Sequence, residues 1–394
     1  MIKFVLRRNL KYLLQLIIWN FIRDLEVFLI KYLFNFGNSL LFTTIMFIAE
    51  FFSGFIVYKY QKSFFLLNKF NDNNLNNVKT ANGLGLIQNT FTYKLIPLDN
   101  YYKIYFLIFI VSISDFVQFM IRTNLIGKFI NISVSLQSRL GANITIFATF
   151  YYVYALRLPI FKHQKFSLSI FGFCIIIIII FEFIFQKINI FLSYGDLILV
   201  ISIITLNTYI SSVIDSIEKY LFEYNFINPF KALLFEGLFG FILTLLFFSM
   251  PQYLKDVAKV YNDNSRGRFT LFIFLLFIYL ILCGGRNVFR VISIKLYTPM
   301  ARAFSDYFLN PLYLLFCFVV ENDFSPDDES KRVLFFLINL ILSIIITFCG
   351  SVFNEFIVLF CCGLELNTYD QISKRAKIKQ DIYLTEMADT ESIV

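Results

Sequence analysis

The stretch FKALLFEGLFGFILTLLFF, Phe230 to Phe248, is almost wholly apolar. A bilayer core about 30 Å thick is crossed by about 20 helical residues, and this run has that length. An open strand leaves backbone groups unpaired in lipid, so the run predicts a membrane-spanning helix. One residue does not fit. Glu236 sits inside the run, followed by Gly237 and Gly240. Ionisable residues within spans face a partner or a cavity, and small residues let a second helix come close. Lys231 lies on a different face of the same helix. The partner therefore comes from another helix, with Arg286, Arg290 and Arg302 as candidates.

The rest of the chain repeats the pattern. Of 394 residues, 58% are hydrophobic, 20% aromatic and only 16% charged, and the mean hydropathy is +0.70. Soluble domains carry about 25% charged residues, so the composition predicts an all-α polytopic membrane protein in one body. Phe, Ile, Tyr, Asn and Lys are all inflated, which discounts the tract NDNNLNN as a functional signal. The formal charge of +8 fits cytosolic loops under the positive-inside bias better than a nucleic-acid partner. All six cysteines lie in apolar stretches, which argues against a disulfide framework. The single histidine, His163, reads as a loop residue, so histidine chemistry and a metal cluster have no raw material. Walker, GxGxxG and HExxH motifs are absent. No enzyme activity, cofactor or metal is expected. NIS at Asn131 and NIT at Asn143 match the glycosylation pattern but fall in or beside spans.

Nine stretches have spanning length: 34–58, 103–123, 132–154, 165–187, 195–217, 229–250, 270–293, 299–320 and 333–362, the last continuing past the membrane or bending near Gly350. The apolar segment Leu10–Ile22 is too short to cross before Arg23, Asp24 and Glu26 follow. It reads as an amphipathic surface helix with Trp19 at the interface, or as an incomplete first span. The divisions are 1–31, a first repeat 32–187, a second repeat 188–365 and a mobile cytosolic tail 366–394. Basic residues gather in 59–102, in RLPIFKHQK and in SKRAKIK. The acidic ENDFSPDDES falls on the opposite side. The basic side, with the C-terminus, is expected in the cytosol. Each half carries a span with an arginine among small residues (SLQSRLGANITIF; YTPMARAFSDYF), a weak internal symmetry of the kind found in repeat-built transporters.

Several further charges lie within spans: Glu50, Asp115, Arg139, Glu182, Asp215, Arg286, Arg290, Arg302, Asp306 and Glu355. Glu182, Asp215 and Arg290 are expected near helix ends, reaching the interface. Arg286 and Arg290 are four apart and share a helix face. They follow Gly284 and Gly285, and two guanidiniums on one face suit a phosphate or carboxylate. Arg302 and Asp306, also four apart, can neutralise each other.

Gly195 to Phe248 resembles the drug/metabolite transporter superfamily in its nucleotide-sugar-transporter-like (EamA-type) branch, and is most similar to the F subfamily of solute carrier family 35. The residues carrying the likeness are Glu218–Lys219, Asn228–Pro229 and EGLFG at Glu236–Gly240. SLQSRLGANITIF with LPIFKHQK, KLYTPMARAFSDYF, Asp115 in SISDF and Glu50 extend it over about 32–365. The chain departs from the pattern at its first span, at Arg139–Leu140–Gly141, and at Leu309, where the family has a basic residue. The resemblance implies two inverted five-helix repeats around a central cavity, in an internal membrane (Golgi, endoplasmic reticulum or endolysosomal). It implies transport of a small polar or anionic metabolite by alternating access, without a cofactor. Arg286, Arg290 and Arg139 are expected to face the anion. Glu236, Asp115, Asp306, Arg302 and Glu50 are expected to gate or to hold helices together. Gly237, Gly240, Gly284, Gly285 and Gly141 are expected to let helices pack closely. The expected partners are the bilayer and a small solute, with a homodimer as an open alternative. A transporter-shaped receptor or scaffold that no longer transports is the rival reading.

Overall fold

The structure is a computed structural model. It describes residues 2–4, 10–34, 39–64, 101–121, 139–155, 160–186, 194–223, 225–248, 266–320, 329–360 and 363–368, with a few isolated positions besides. Asn131, ENDFSPDDES apart from its last two residues, most of the connection 59–102 and most of the tail lie outside the described residues.

The described elements are β1 (Ile2–Phe4), α1 (Leu10–Phe34), α2 (Ser39–Phe64), α3 (Tyr101–Met120), α4 (Asn143–Tyr154), α5 (Lys162–Gln186) and α6 (Tyr194–Glu223). They continue as α7 (Pro229–Phe248), α8 (Arg266–Leu296), α9 (Pro299–Tyr307), α10 (Asn310–Val320), α11 (Glu329–Phe353) and β2 (Ile357–Leu359). Among them, 7 helices are long and apolar enough to cross a membrane: α2, α3, α5, α6, α7, α8 and α11. Their outward residues include Phe52, Phe55, Ile176, Ile184, Leu246, Phe274, Phe277, Ile341 and Ile344, all exposed. Soluble monomers rarely expose contiguous apolar patches beyond a few hundred Å². This surface belongs in lipid.

Two of the nine expected spans are interrupted. In 132–154 the chain turns at Gly141–Ala142 before α4 begins. In 299–320 it turns at Phe308–Leu309 between α9 and α10. Pro311 explains the second break: it has no N–H, and its ring collides with the carbonyl four residues back. The last expected span does not run to 362. Helix α11 stops at Phe353, three residues after Gly350. There Phe356 N–H donates to Ser351 O at 2.8 Å and Glu355 N–H to Val352 O at 3.1 Å. Glu355 takes φ 59°, the left-handed turn of a helix C-terminus.

Two helix starts follow from local chemistry. Asn228 Oδ1 accepts from Phe230 N at 2.9 Å, with Pro229 opening α7. Thr298 Oγ1 accepts from Ala301 N at 3.2 Å, with Pro299 opening α9. A polar cap followed by proline suits a first turn, whose N–H groups lack helical partners.

At the N-terminus the helix does not stop at Ile22. α1 runs unbroken through Arg23 and Asp24, whose side chains pair at 2.7 Å. Trp19 lies over Gly285 of α8, where a Cβ would come within 2.7 Å of the indole. It also stacks on Phe289 at 6.5 Å. α1 is thus packed along α8.

The closest helix approach joins α2 to α7. A Cβ on Gly54 would stand 2.7 Å from Leu234 N; one on Gly237 would strike the backbone of Phe51, and one on Gly240 the ring of Phe47. Gly284 meets Ser53 and Ala49 more loosely, at 3.3 and 3.6 Å. Gly141 lies in the turn before α4. One buried core gathers residues of α1, α5, α6, α9 and α11, a second those of α1, α2, α3 and α8, and a third those of α3, α6, α7 and α8. Each core draws on helices from both the earlier and the later part of the sequence. β1 and β2 pair antiparallel, Ile2 opposite Leu359 and Phe4 opposite Ile357.

Candidate functional site

The charged residues of α6 recur at helical spacing. Asp215, Glu218 and Lys219 fall on one face, and all three are buried. α8 presents Arg286, Asn287 and Arg290 to the same region, and α9 presents Arg302 and Asp306. The core of the arrangement is Arg290. Its Nη2 lies 2.9 Å from Glu218 Oε1 and 3.1 Å from Glu236 Oε2, and both glutamates are 0% exposed. Arg290 of α8 is thus the partner of Glu236, with Glu218 sharing the same nitrogen.

Around this centre the other helices close. Glu50 of α2 accepts from Asn287 Nδ2 at 2.9 Å. Arg302 Nη1 lies 3.1 Å from Asp215 Oδ2 and 3.0 Å from Asp306 Oδ2, and donates to Ser211 Oγ at 3.3 Å. Asn20 of α1 donates to Asp306 Oδ1 at 3.1 Å and accepts from Arg286 Nε at 3.0 Å. Arg286 Nη1 donates to Asn287 Oδ1 at 2.8 Å. That leaves Nη2 of Arg286 without a hydrogen bond among the described residues, and the side chain is only half-buried. Asp115 of α3 is half-buried too, in electrostatic range of Arg290, Arg286 and Arg302. Asp306 is the exposed member. Ser112, one turn before Asp115, donates to Glu236 O at 3.1 Å and fastens α3 to α7.

Lys219 turns the other way. Its Nζ reaches Ile294 O at 2.9 Å, Lys295 O at 3.3 Å and Tyr297 O at 2.5 Å, while Glu223 balances it at 2.5 Å. These carbonyls lie in the last turn of α8 and just past it, where a cation complements the helix dipole.

Arg139 is not among this group. It pairs with Glu182 of α5 and donates to Asn339 Oδ1 of α11 at 2.9 Å, with the guanidinium 5.3 Å from the Phe335 ring centroid. This is a second, separate polar node. The expectation that Glu182, Asp215 and Arg290 reach the membrane interface is overturned: all three are buried and ion-paired. Sequence position shows how near a helix end a residue lies; it does not show that its side chain turns inward.

His163 is likewise not a loop residue. It lies in the first turn of α5, whose start is fixed by Gln164 Oε1 accepting from Phe161 N at 3.1 Å. Its Nε2 stands 3.3 Å from Glu355 Oε1, just past α11. Among the described residues no group of three or more His, Cys, Asp or Glu side chains is arranged to hold a metal. Cys174, Cys283 and Cys349 are free and buried.

Sequence reading did not single out Asn20, Asn287, Asn339, Ser211 or Ser112. The signal that finds them is burial: asparagine and serine in apolar helices must hydrogen-bond within the protein, and each here bridges two helices or supports an arginine. The apolar exterior and the charged interior define a multi-pass α-helical membrane protein. No known protein-family model matches the chain, and no curated protein matches it.

Proposed function

We propose that the protein is a secondary transporter that carries a small polar or anionic metabolite across an internal membrane by alternating access, within the drug/metabolite transporter superfamily. The observation carrying this is the charged network that α1, α2, α6, α7, α8 and α9 share, with Arg286 and Asp115 half-buried and Asp306 exposed within it. Burying so many ionisable groups within apolar helices is costly, and such groups mark solute and ion pathways. Arg286 is the anion-facing residue of this reading, because Arg290 and Arg302 already hold carboxylates. The interruptions before α4 and between α9 and α10 support paired repeats, since broken helices in corresponding positions flank transporter sites. With α9–α10 as one crossing, α1 as another and the stretch 132–154 that ends in α4 as a third, the seven long helices among the described residues become ten crossings. The ends paired through β1 and β2 then share the basic, cytosolic side.

The test is counterflow in proteoliposomes with nucleotide sugars, nucleotides and unrelated metabolites. Saturable exchange of one class, lost in Arg286→Gln while the protein stays folded, is the expected result. Exchange unchanged by that substitution removes Arg286 from the site. The rival, a receptor or scaffold of transporter shape, draws on the carboxylates that occupy Arg290 and Arg302. A full panel without exchange from well-folded protein favours it.

A further inference from the structure

Three guanidiniums, Arg286, Arg290 and Arg302, are surrounded by six carboxyl groups: Glu50 from α2, Asp115 from α3, Asp215 and Glu218 from α6, Glu236 from α7 and Asp306 from α9. Lys219 does not redress the balance, because its ammonium is spent on α8's last carbonyls and on Glu223. With every group ionised, the cluster carries an excess of negative charge in the bundle interior. The excess is concentrated at one place. Glu218 and Glu236 converge on the same Arg290 nitrogen, at 2.9 and 3.1 Å, so two buried carboxyl groups meet at one guanidinium. Glu218 Oε2 and Glu236 Oε1 are buried and find no hydrogen-bond donor among the described residues; nor do Glu50 Oε2 and Asp215 Oδ1.

Two carboxylates that approach each other are each an acceptor only. One guanidinium balances one carboxylate, and two like charges converging on one buried nitrogen do not both ionise readily.

We infer that Glu218 and Glu236 share one proton beside Arg290, and that this proton is the ion coupled to solute movement. The inference rests on the transporter reading for its coupling, though not for the site. In the cycle the proton binds the carboxylate pair from one side of the membrane, giving one acid and one carboxylate against one guanidinium, which is neutral overall. It leaves from the same pair to the other side, restoring two carboxylates. No other bond is made or broken. The groups facing the pair are Arg290 and Arg286 from α8, Glu50 from α2, Asp115 from α3, Asp215 from α6 and Arg302 from α9.

The experiment uses the full chain reconstituted in liposomes and has two arms. The first records the infrared carbonyl stretch of a protonated carboxyl at neutral pH and needs no solute. The expected result is a band in wild type that is lost in Glu218→Gln and again in Glu236→Gln, because either change removes the shared site. Absence of the band in wild type overturns the inference. The second arm uses a solute identified by counterflow and a vesicle-trapped pH dye. A one-unit pH gradient sustains about tenfold accumulation at one proton per solute. Glu236→Gln is expected to lose accumulation driven by the gradient, and Glu236→Asp to recover part of it. A moving solute with no accompanying proton overturns the coupling. If no solute moves, the failure is that of the transporter reading and the coupling falls with it, while the band alone still decides the site.

Discussion

Arg290 pairs with two buried glutamates through one nitrogen, so its removal strands both. Breaking a buried ion pair from one side costs about 3–5 kcal/mol, whereas replacing the whole set by neutral groups of similar size is close to neutral. Arg290→Met is therefore expected to lower the melting temperature in detergent sharply. The triple variant Glu218→Gln, Glu236→Gln, Arg290→Met is expected to regain most of the loss. A single variant as stable as wild type contradicts this account. Lys219→Met is expected to speed hydrogen exchange in the last turn of α8. It removes three bonds to carbonyls, and hydrogen bonds to a charged group contribute about 1.5–3 kcal/mol each. Most of the charges carried into the apolar helices were legible in the sequence, but Glu218 and Lys219 were not, because the expected span 195–217 stopped just short of them while the helix runs on to Glu223. The partners were not legible either, because pairing is set by which helices become neighbours. Glu236 offered three candidate arginines, and only the packing of α7 against α8 selects Arg290.

At the scale of elements, glycines separate into two kinds. A Cβ at Gly172 of α5 would meet nothing within 4 Å, whereas one at Gly237 of α7 strikes the backbone of Phe51. Gly172→Ala is expected to stabilise by about 0.5–1 kcal/mol through helix propensity alone. Gly237→Ala is expected to destabilise by more than that, since backbone cannot step aside as a flexible side chain does. Parallel melts of the two variants check the contrast. The starts of α7 and α9 fall where the expected spans 229–250 and 299–320 began, though the Asn-Pro and Thr-Pro caps that set them were not read as caps. The full length of α1 was not legible: Arg23 and Asp24 looked like a barrier, and their mutual pairing hides in sequence as two separate charges. The break after Tyr307 was hidden as well, since Asn310 and Pro311 stand inside the stretch 299–320, whose length reads as one span.

Over the whole molecule, the order of helices along the chain is not the order of packing. α2 lies against α7 and α8, and β1 against β2, so early and late segments are interleaved. The strand register places Lys3 opposite Val358. Cysteines introduced at these two positions, in a background without native cysteines, are expected to form an intramolecular crosslink on mild oxidation. A crosslink that forms only between chains contradicts the pairing. The interleaving also sets a schedule for biosynthesis. A ribosome adding about 5–20 residues per second reaches Asn287 roughly 10–50 s after Glu50. For that interval α2 waits in the bilayer with its carboxyl unbonded to α8, and until α7 emerges the groove at Gly54 stands open. Nascent chains halted before α8 are expected to be held by insertion factors or degraded, and chains halted just after it to be released and to persist.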